Sequence, residues 1–272
     1  MKDREDVATK HAPSWLSRMK VHLRQVPIRG TRYRIVTLRP GMDVRFSTNF
    51  YHGTWHIISD GFGSEILGRL MWGLAFQKLP NTLVVIAPPH LQPSPFDGAP
   101  SWPVVLTVQE NCPLRARDLR ELKARLDHLP ESQTIRWQTH GLARYEAPPV
   151  WKMGYSRREP FDDETLLSGG VICYRAKREL MKWQASVVAK MRPSTDVELA
   201  NRGQAETRDY YFITWDYGAT GEVQLFDDYR HKVKAAVAAR ARTVARLTEK
   251  VTPGEFEDLV VLERDGSRKK QS

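Results

Sequence analysis

The chain has 272 residues, 41% of them apolar and 10% aromatic, enough for the core of one large domain or two small ones. It holds no apolar run of about 18 residues, which excludes a membrane-crossing helix, and its two cysteines, Cys112 and Cys173, have no paired spacing that suggests a disulfide framework or a zinc site. The net charge is +10, and residues 1–50 carry most of it, with 11 basic side chains against 4 acidic ones.

The opening Met1-Lys2-Asp3-Arg4-Glu5-Asp6 lacks the apolar centre of a secretion signal, so a soluble cytoplasmic protein that does not enter a membrane is the expectation. Residues 1–30 mix charges with Pro13, Pro27 and Gly30 and read as a basic N-terminal arm, partly ordered, with a short helix near Ser14 to Leu23. From residue 31 to 266 the pattern is that of one α/β domain, with a candidate internal boundary near 147–170, and 267–272 form a basic tail.

Arg32 to Arg39 alternates arginine with large apolar residues, as a half-exposed strand does. Pro40-Gly41 ends it, and Val44 to Ser47 reads as its hairpin partner. The stretch from Trp55 to Pro89 is the most complete unit: a strand over 54–59, a glycine turn at Asp60 to Ser64, a buried helix over Glu65 to Leu79, and a strand over 82–87. That order describes a βαβ crossover, which puts the glycine turn at the carboxyl edge of a parallel sheet, where α/β proteins bind ligands.

Prolines at 88, 89, 93, 95, 100 and 103 make 88–103 a long non-helical loop, placed to act as a lid. Strands follow at 104–108 and 133–138, separated by an amphipathic helix from Pro113 to about Leu129. Val171 to Tyr174 leads into a helix ending near Met191, and residues 193–208 read as a loop. The aromatic run 210–215 reads as a strand, Asp228 to Val251 as a long helix, and 256–262 as a last strand after Pro253-Gly254. The expected fold is a single mostly parallel or mixed sheet flanked by helices.

The glycine turn is the first functional candidate, because a helix N-terminus offers free N–H groups and a positive dipole end to an anion. Gly61, Gly63 and Ser64 would donate, Asp60 would serve as an acceptor or base, and Glu65 and His56 would complete a pocket for a polar or phosphorylated small molecule in a transferase or hydrolase. The dinucleotide fingerprint is absent: residue 66 is Ile66 where a third glycine belongs, and no acidic residue follows the second strand. His52, His56 and Asp60 recur every four residues, but along a strand that spacing is about 13 Å, too far for two histidines to share an ion. No cofactor, metal or oligomeric state is named by the sequence.

Two basic surfaces supply an alternative, a nucleic-acid-binding or accessory protein. Arg32 and Arg34 sit on the first strand beside Tyr33, and Arg240, Arg242 and Arg246 lie on the long helix, where they could track phosphates. A non-catalytic interaction subunit is the third reading.

Overall fold

The computed structural model describes residues 19–51, 53–146, 163–192, 210–212, 220–247 and 250–268. Among them, helix α1 (Gly61–Ala75) organises the rest, since every residue from Gly63 to Ala75 except Glu65 is buried. A helix that is apolar around its whole circumference has to be enclosed on all sides. Three layers enclose it.

The first is a seven-stranded sheet in the order β7 (Gln133–Arg136), β1 (Lys20–Ile28), β2 (Thr31–Thr37), β5 (Thr82–Ile86), β6 (Val104–Val108), β9 (Val171–Ala176), β8 (Asp163–Ser168). Pairs β2–β5 and β6–β9 are parallel and the others antiparallel. The second is a four-stranded sheet in the order β10 (Tyr210–Phe212), β11 (Thr220–Leu225), β4 (Thr54–Ser59), β3 (Ser47–Tyr51), parallel only at β11–β4. The third is helix α3 (Arg178–Lys190). One core joins Val36, Val84 and Leu106 of the large sheet, Ile57, Val223 and Leu225 of the small one, Leu67, Leu70 and Met71 of α1, and Met181 and Val188 of α3.

The opposite face of the large sheet packs Tyr33, Ile35, Val85 and Val105 against Leu119 and Leu122 of helix α2 (Ala116–Arg125). On the far side of the small sheet, Ile58 meets Tyr229 and Val233 of helix α4 (Tyr229–Arg246), which helix α5 (Pro253–Arg268) flanks. The chain is therefore an α/β protein with mixed sheets and flanking helices. None of its described helices is long and apolar enough to cross a membrane.

Several local expectations change. Strands β4 and β5 do not share a sheet: β4 lies between β3 and β11, and β5 between β2 and β6. Helix α1 is thus a spacer between two sheets rather than a crossover within one, because its apolar surface is too wide for a single sheet to cover. Val44 to Ser47 does not pair with β2; Ser47 starts β3 against β4, and Phe46 makes an isolated bridge to Leu91. Residues 20–23, expected as the end of a helix, belong to β1, and positions 14–18 lie outside the described residues. Pro27 fits within β1 because β7 pairs with that strand only as far as Leu23, so no neighbour needs an N–H on the outer side there.

Residues 256–262 are helical, inside α5. Its start is a capping box: the Thr252 hydroxyl accepts from Glu255 N–H at 3.3 Å, and the Glu255 carboxylate accepts from Thr252 N–H at 2.8 Å. Strand β8 falls within the expected 147–170 boundary region, while 147–162, the whole 193–208 loop and 213–215 lie outside the described residues.

The α1–α3 contact is closest at Gly68, where an added Cβ would meet the backbone N of Ala189 at 2.5 Å and the backbone O of Ala185 at 2.7 Å. Backbone atoms of a packed helix cannot swing aside. Gly68→Ala should therefore destabilise the protein by about 1–3 kcal/mol, read as a lower urea midpoint with an unchanged slope; a midpoint equal to wild type would show that the helices are not packed this tightly.

Candidate functional site

At the entrance to α1 the Gly63 and Ser64 donors of the glycine turn have internal partners. Asp60 has extended backbone geometry and its Oδ1 accepts from Gly63 N–H at 2.8 Å, so the carboxylate caps the helix. Gly63 is glycine because Ser59 occupies the space a side chain would need: a Cβ there would sit 1.7 Å from Ser59 Oγ, which itself donates to Arg45 O at 2.5 Å. Ser64 turns inward, and its buried hydroxyl donates to Val188 O. Glu65 pairs with Arg69 at 2.8 Å. Asp60 and Gly61 are partly exposed, whereas Gly63 and Ser64 are buried.

His56 is not part of this turn. It lies within β4, where Nε2 is 3.6 Å from Glu222 Oε2 on the neighbouring β11, and both residues are buried. His52 lies outside the described residues. Among the described residues no group of three His, Cys, Asp or Glu side chains is placed to hold a metal ion.

Around the capped entrance the charges neutralise one another. Asp43 pairs with Arg230 at 2.9 Å and with Arg45 at 3.8 Å, and its carboxyl is held below the usual range chiefly by the hydrogen bond from Arg230. Burial pushes the Tyr229 hydroxyl up, and it shares a hydrogen bond with Ser47 at 2.8 Å. His90, also buried, faces Val44 O from Nδ1 at 3.0 Å and Arg39 O from Nε2 at 3.1 Å, tying the 39–46 loop to the segment after β5.

The arginines of α4 serve a structural purpose. Arg242 and Arg246 both bind Glu263 of α5, at 2.7 and 2.6 Å, while Arg240 lies over the Phe256 ring at 4.7 Å and donates to Asp97 O. Two guanidiniums hold the Glu263 carboxyl below its ordinary range, Arg242 foremost. Among the described residues, three of the candidate nucleic-acid arginines, Arg32 and Arg34 on β2 and Arg240 on α4, make no ion pair with an acidic side chain; Arg32 reaches Gln25 at 3.5 Å. The alternation of β2 puts Arg32 and Arg34 on the face opposite Tyr33.

A site the sequence reading passed over lies on that Tyr33 side. The tight turn between β1 and β2, with Arg29 at φ 48°, faces the start of α2 across a cavity of about 540 Å³. Arg29, Arg115 and Arg117 line it with Thr31, Tyr33 and Glu121, and Pro113 and Asp118 close it. Asp118 organises the wall: its Oδ2 accepts from Arg115 N–H at 2.9 Å, its Oδ1 is 4.0 Å from Arg29 Nε, and its charge lies near the Tyr33 hydroxyl. Burial first, then the neighbouring Asp118 charge, pushes Tyr33 up to about 12, so its hydroxyl stays protonated. The guanidiniums of Arg115 and Arg117 have no hydrogen-bond or ion-pair partner among the described residues. In the sequence these two arginines are indistinguishable from the solvated face of an amphipathic helix; Pro113 before the helix and Arg29-Gly30 at a turn are the only signals of a concavity.

Comparison with models of protein families, with curated proteins and with solved structures returns no match for this chain.

Removing the Asp60 cap by Asp60→Ala should cost about 0.5–2 kcal/mol of stability, measured by thermal or urea unfolding, and a neutral result would mean that the turn does not depend on that carboxylate. The histidines give a pH signature. Burial lowers the His90 pKa below 6.5, and His22 shifts the same way, so the unfolded chain takes up protons first and stability falls as pH drops below about 6.5. Unfolding curves from pH 7.5 to 5.5 should show this decline, and His90→Gln should make it shallower; an unchanged slope would assign it elsewhere.

Proposed function

We propose that this protein binds a phosphorylated small molecule in the cavity between the β1–β2 turn and α2. The observation that carries the reading is that three arginines, Arg29, Arg115 and Arg117, line one cavity, two of them with no side-chain partner among the described residues. Arginine forks match phosphate geometry and bind it through charge-assisted hydrogen bonds. A volume of about 540 Å³ lies within the range of small-molecule sites. The ligand class is the one expected for the glycine turn; the location differs, because two of the three donor residues expected there, Gly63 and Ser64, are buried with internal partners. Asp60 is given no bond-making step in this proposal, and its carboxylate acts as a helix cap. A cytoplasmic setting, rich in phosphorylated metabolites, belongs to the same proposal.

The test is a titration of inorganic phosphate followed by thermal shift and calorimetry at low ionic strength. Wild type should gain stability with phosphate, reaching about 2.7 kcal/mol at a hundred times the dissociation constant. The gain should shrink as salt rises, and the double variant Arg115→Ala/Arg117→Ala should lose at least tenfold in affinity while keeping its own unfolding midpoint close to wild type. A variant that binds as tightly as wild type would dismiss this site.

A further inference from the structure

We infer that the natural ligand of the α2 cavity is a phosphate monoester of a polyol, held by its phosphate on the arginines and by its hydroxyls on Glu121; this inference rests on the binding proposal above. The cavity is not uniformly cationic. Two carboxylates line it beside the three arginines, and their situations differ.

Asp118 is turned into the wall: its carboxylate accepts from Arg115 N–H and lies beside Arg29 and Tyr33, and the residue is buried. Glu121 is one turn further along α2 and only partly buried, with Arg125 as its one partner, at 2.6 Å through Oε1. Arg125 is not among the lining residues. The second carboxylate oxygen of Glu121 therefore remains as an acceptor on the cavity wall. A carboxylate accepts and never donates when ionised, so it selects a ligand that brings O–H or N–H groups. Free phosphate brings fewer O–H donors and places its own negative charge against the carboxylate.

Cavity size points the same way. About 540 Å³ is far more than one phosphate group fills, so an organic portion has room beside the anion. The chemistry of that portion follows from what the lining lacks. Tyr33 is the only aromatic residue there, and it is 2% exposed, its ring packed in the core behind α2 with Ile35 and Leu119. No ring face is open for a nucleobase to stack on. The Thr31 hydroxyl, partly exposed and without a partner among the described residues, adds a second polar contact suited to hydroxyls. A polyol meets these groups; a base does not.

The experiment titrates the full chain with inorganic phosphate, glucose 6-phosphate, glucose and AMP, in wild type and in Glu121→Ala. Wild type should bind glucose 6-phosphate about tenfold or more tightly than phosphate, as a hydrogen bond to a charged group allows, with AMP, whose two ribose hydroxyls come with a base that finds no ring to stack on, weaker than glucose 6-phosphate, and glucose alone weakest. In Glu121→Ala the sugar-phosphate advantage should fall to within about twofold, while phosphate binding holds or strengthens because a nearby negative charge is gone. Retained phosphate binding also shows that the variant is folded. The inference is overturned if phosphate binds but glucose 6-phosphate binds no better, if AMP binds more tightly than the sugar phosphate, or if Glu121→Ala keeps the full advantage. Absence of phosphate binding in wild type would overturn the binding proposal itself, and this inference with it.

Discussion

Helix α1 is buried on nearly every side, with Glu65 the one residue between Gly63 and Ala75 that is not, and that one constraint sets the architecture. No single sheet can cover such a helix, so the chain builds two. Strand β4 leads into α1 from the small sheet, and β5 leaves it for the large one. Helix α3 closes the remaining side at the distance of a glycine contact, Gly68 against Ala185 and Ala189. A second glycine, Gly73, leaves room for the Trp137 indole, which donates to Arg69 O at 3.1 Å. Both ends of the helix are tied down as well: Asp60 caps the first turn, and the Arg178 guanidinium donates to the carbonyls of Ala75 and Gln77 at the last.

The same constraint explains why Gly63 and Ser64 of the glycine turn face inward. Burying α1 from its first turn brings Ser59 against Gly63 and turns the Ser64 hydroxyl into α3. Helix α2 is packed differently. Only Asp118, Leu119 and Leu122 are buried along it, so its start stays at the surface and can share a cavity with the adjacent strand turn. Polar chemistry collects where a helix touches the sheet with one narrow face.

Much of this was legible in the residues. Length and apolar content place a helix near α1, although it spans Gly61–Ala75 rather than Glu65 to Leu79, because the Asp60 cap lets Gly61 to Ser64 form its first turn, and β2, β6 and β9 carry clear apolar runs. What failed was non-local. Nothing within residues 54–86 states that its two strands join different sheets, because that depends on β2 and β11 competing for them. Leu259-Val260-Val261-Leu262 has strand-like composition, yet Thr252-Pro253-Gly254-Glu255 is a helix-start signature that outweighs it. Pro27 concealed β1, since a proline is tolerated only where the outer side of a strand is free. The arginines of α4 looked like a phosphate-tracking surface because Glu263, which binds two of them, is 17 to 21 positions away in the chain. The α2 cavity was hidden for a related reason: Arg29 and Arg115 meet only through the pairing of β1 with β2 and the packing of α2 beneath it.

The central claim is that anionic ligands enter at α2 rather than at α1, and side-chain NMR tests it directly. With glucose 6-phosphate added to isotope-labelled protein, the account predicts shifts in the arginine Nε–Hε signals of Arg29, Arg115 and Arg117 and in the backbone amide of Thr31, with the amides of Gly61 to Glu65 unmoved. Shifts confined to the Gly61–Glu65 amides, or no shift at the three arginines under saturating ligand, would contradict it.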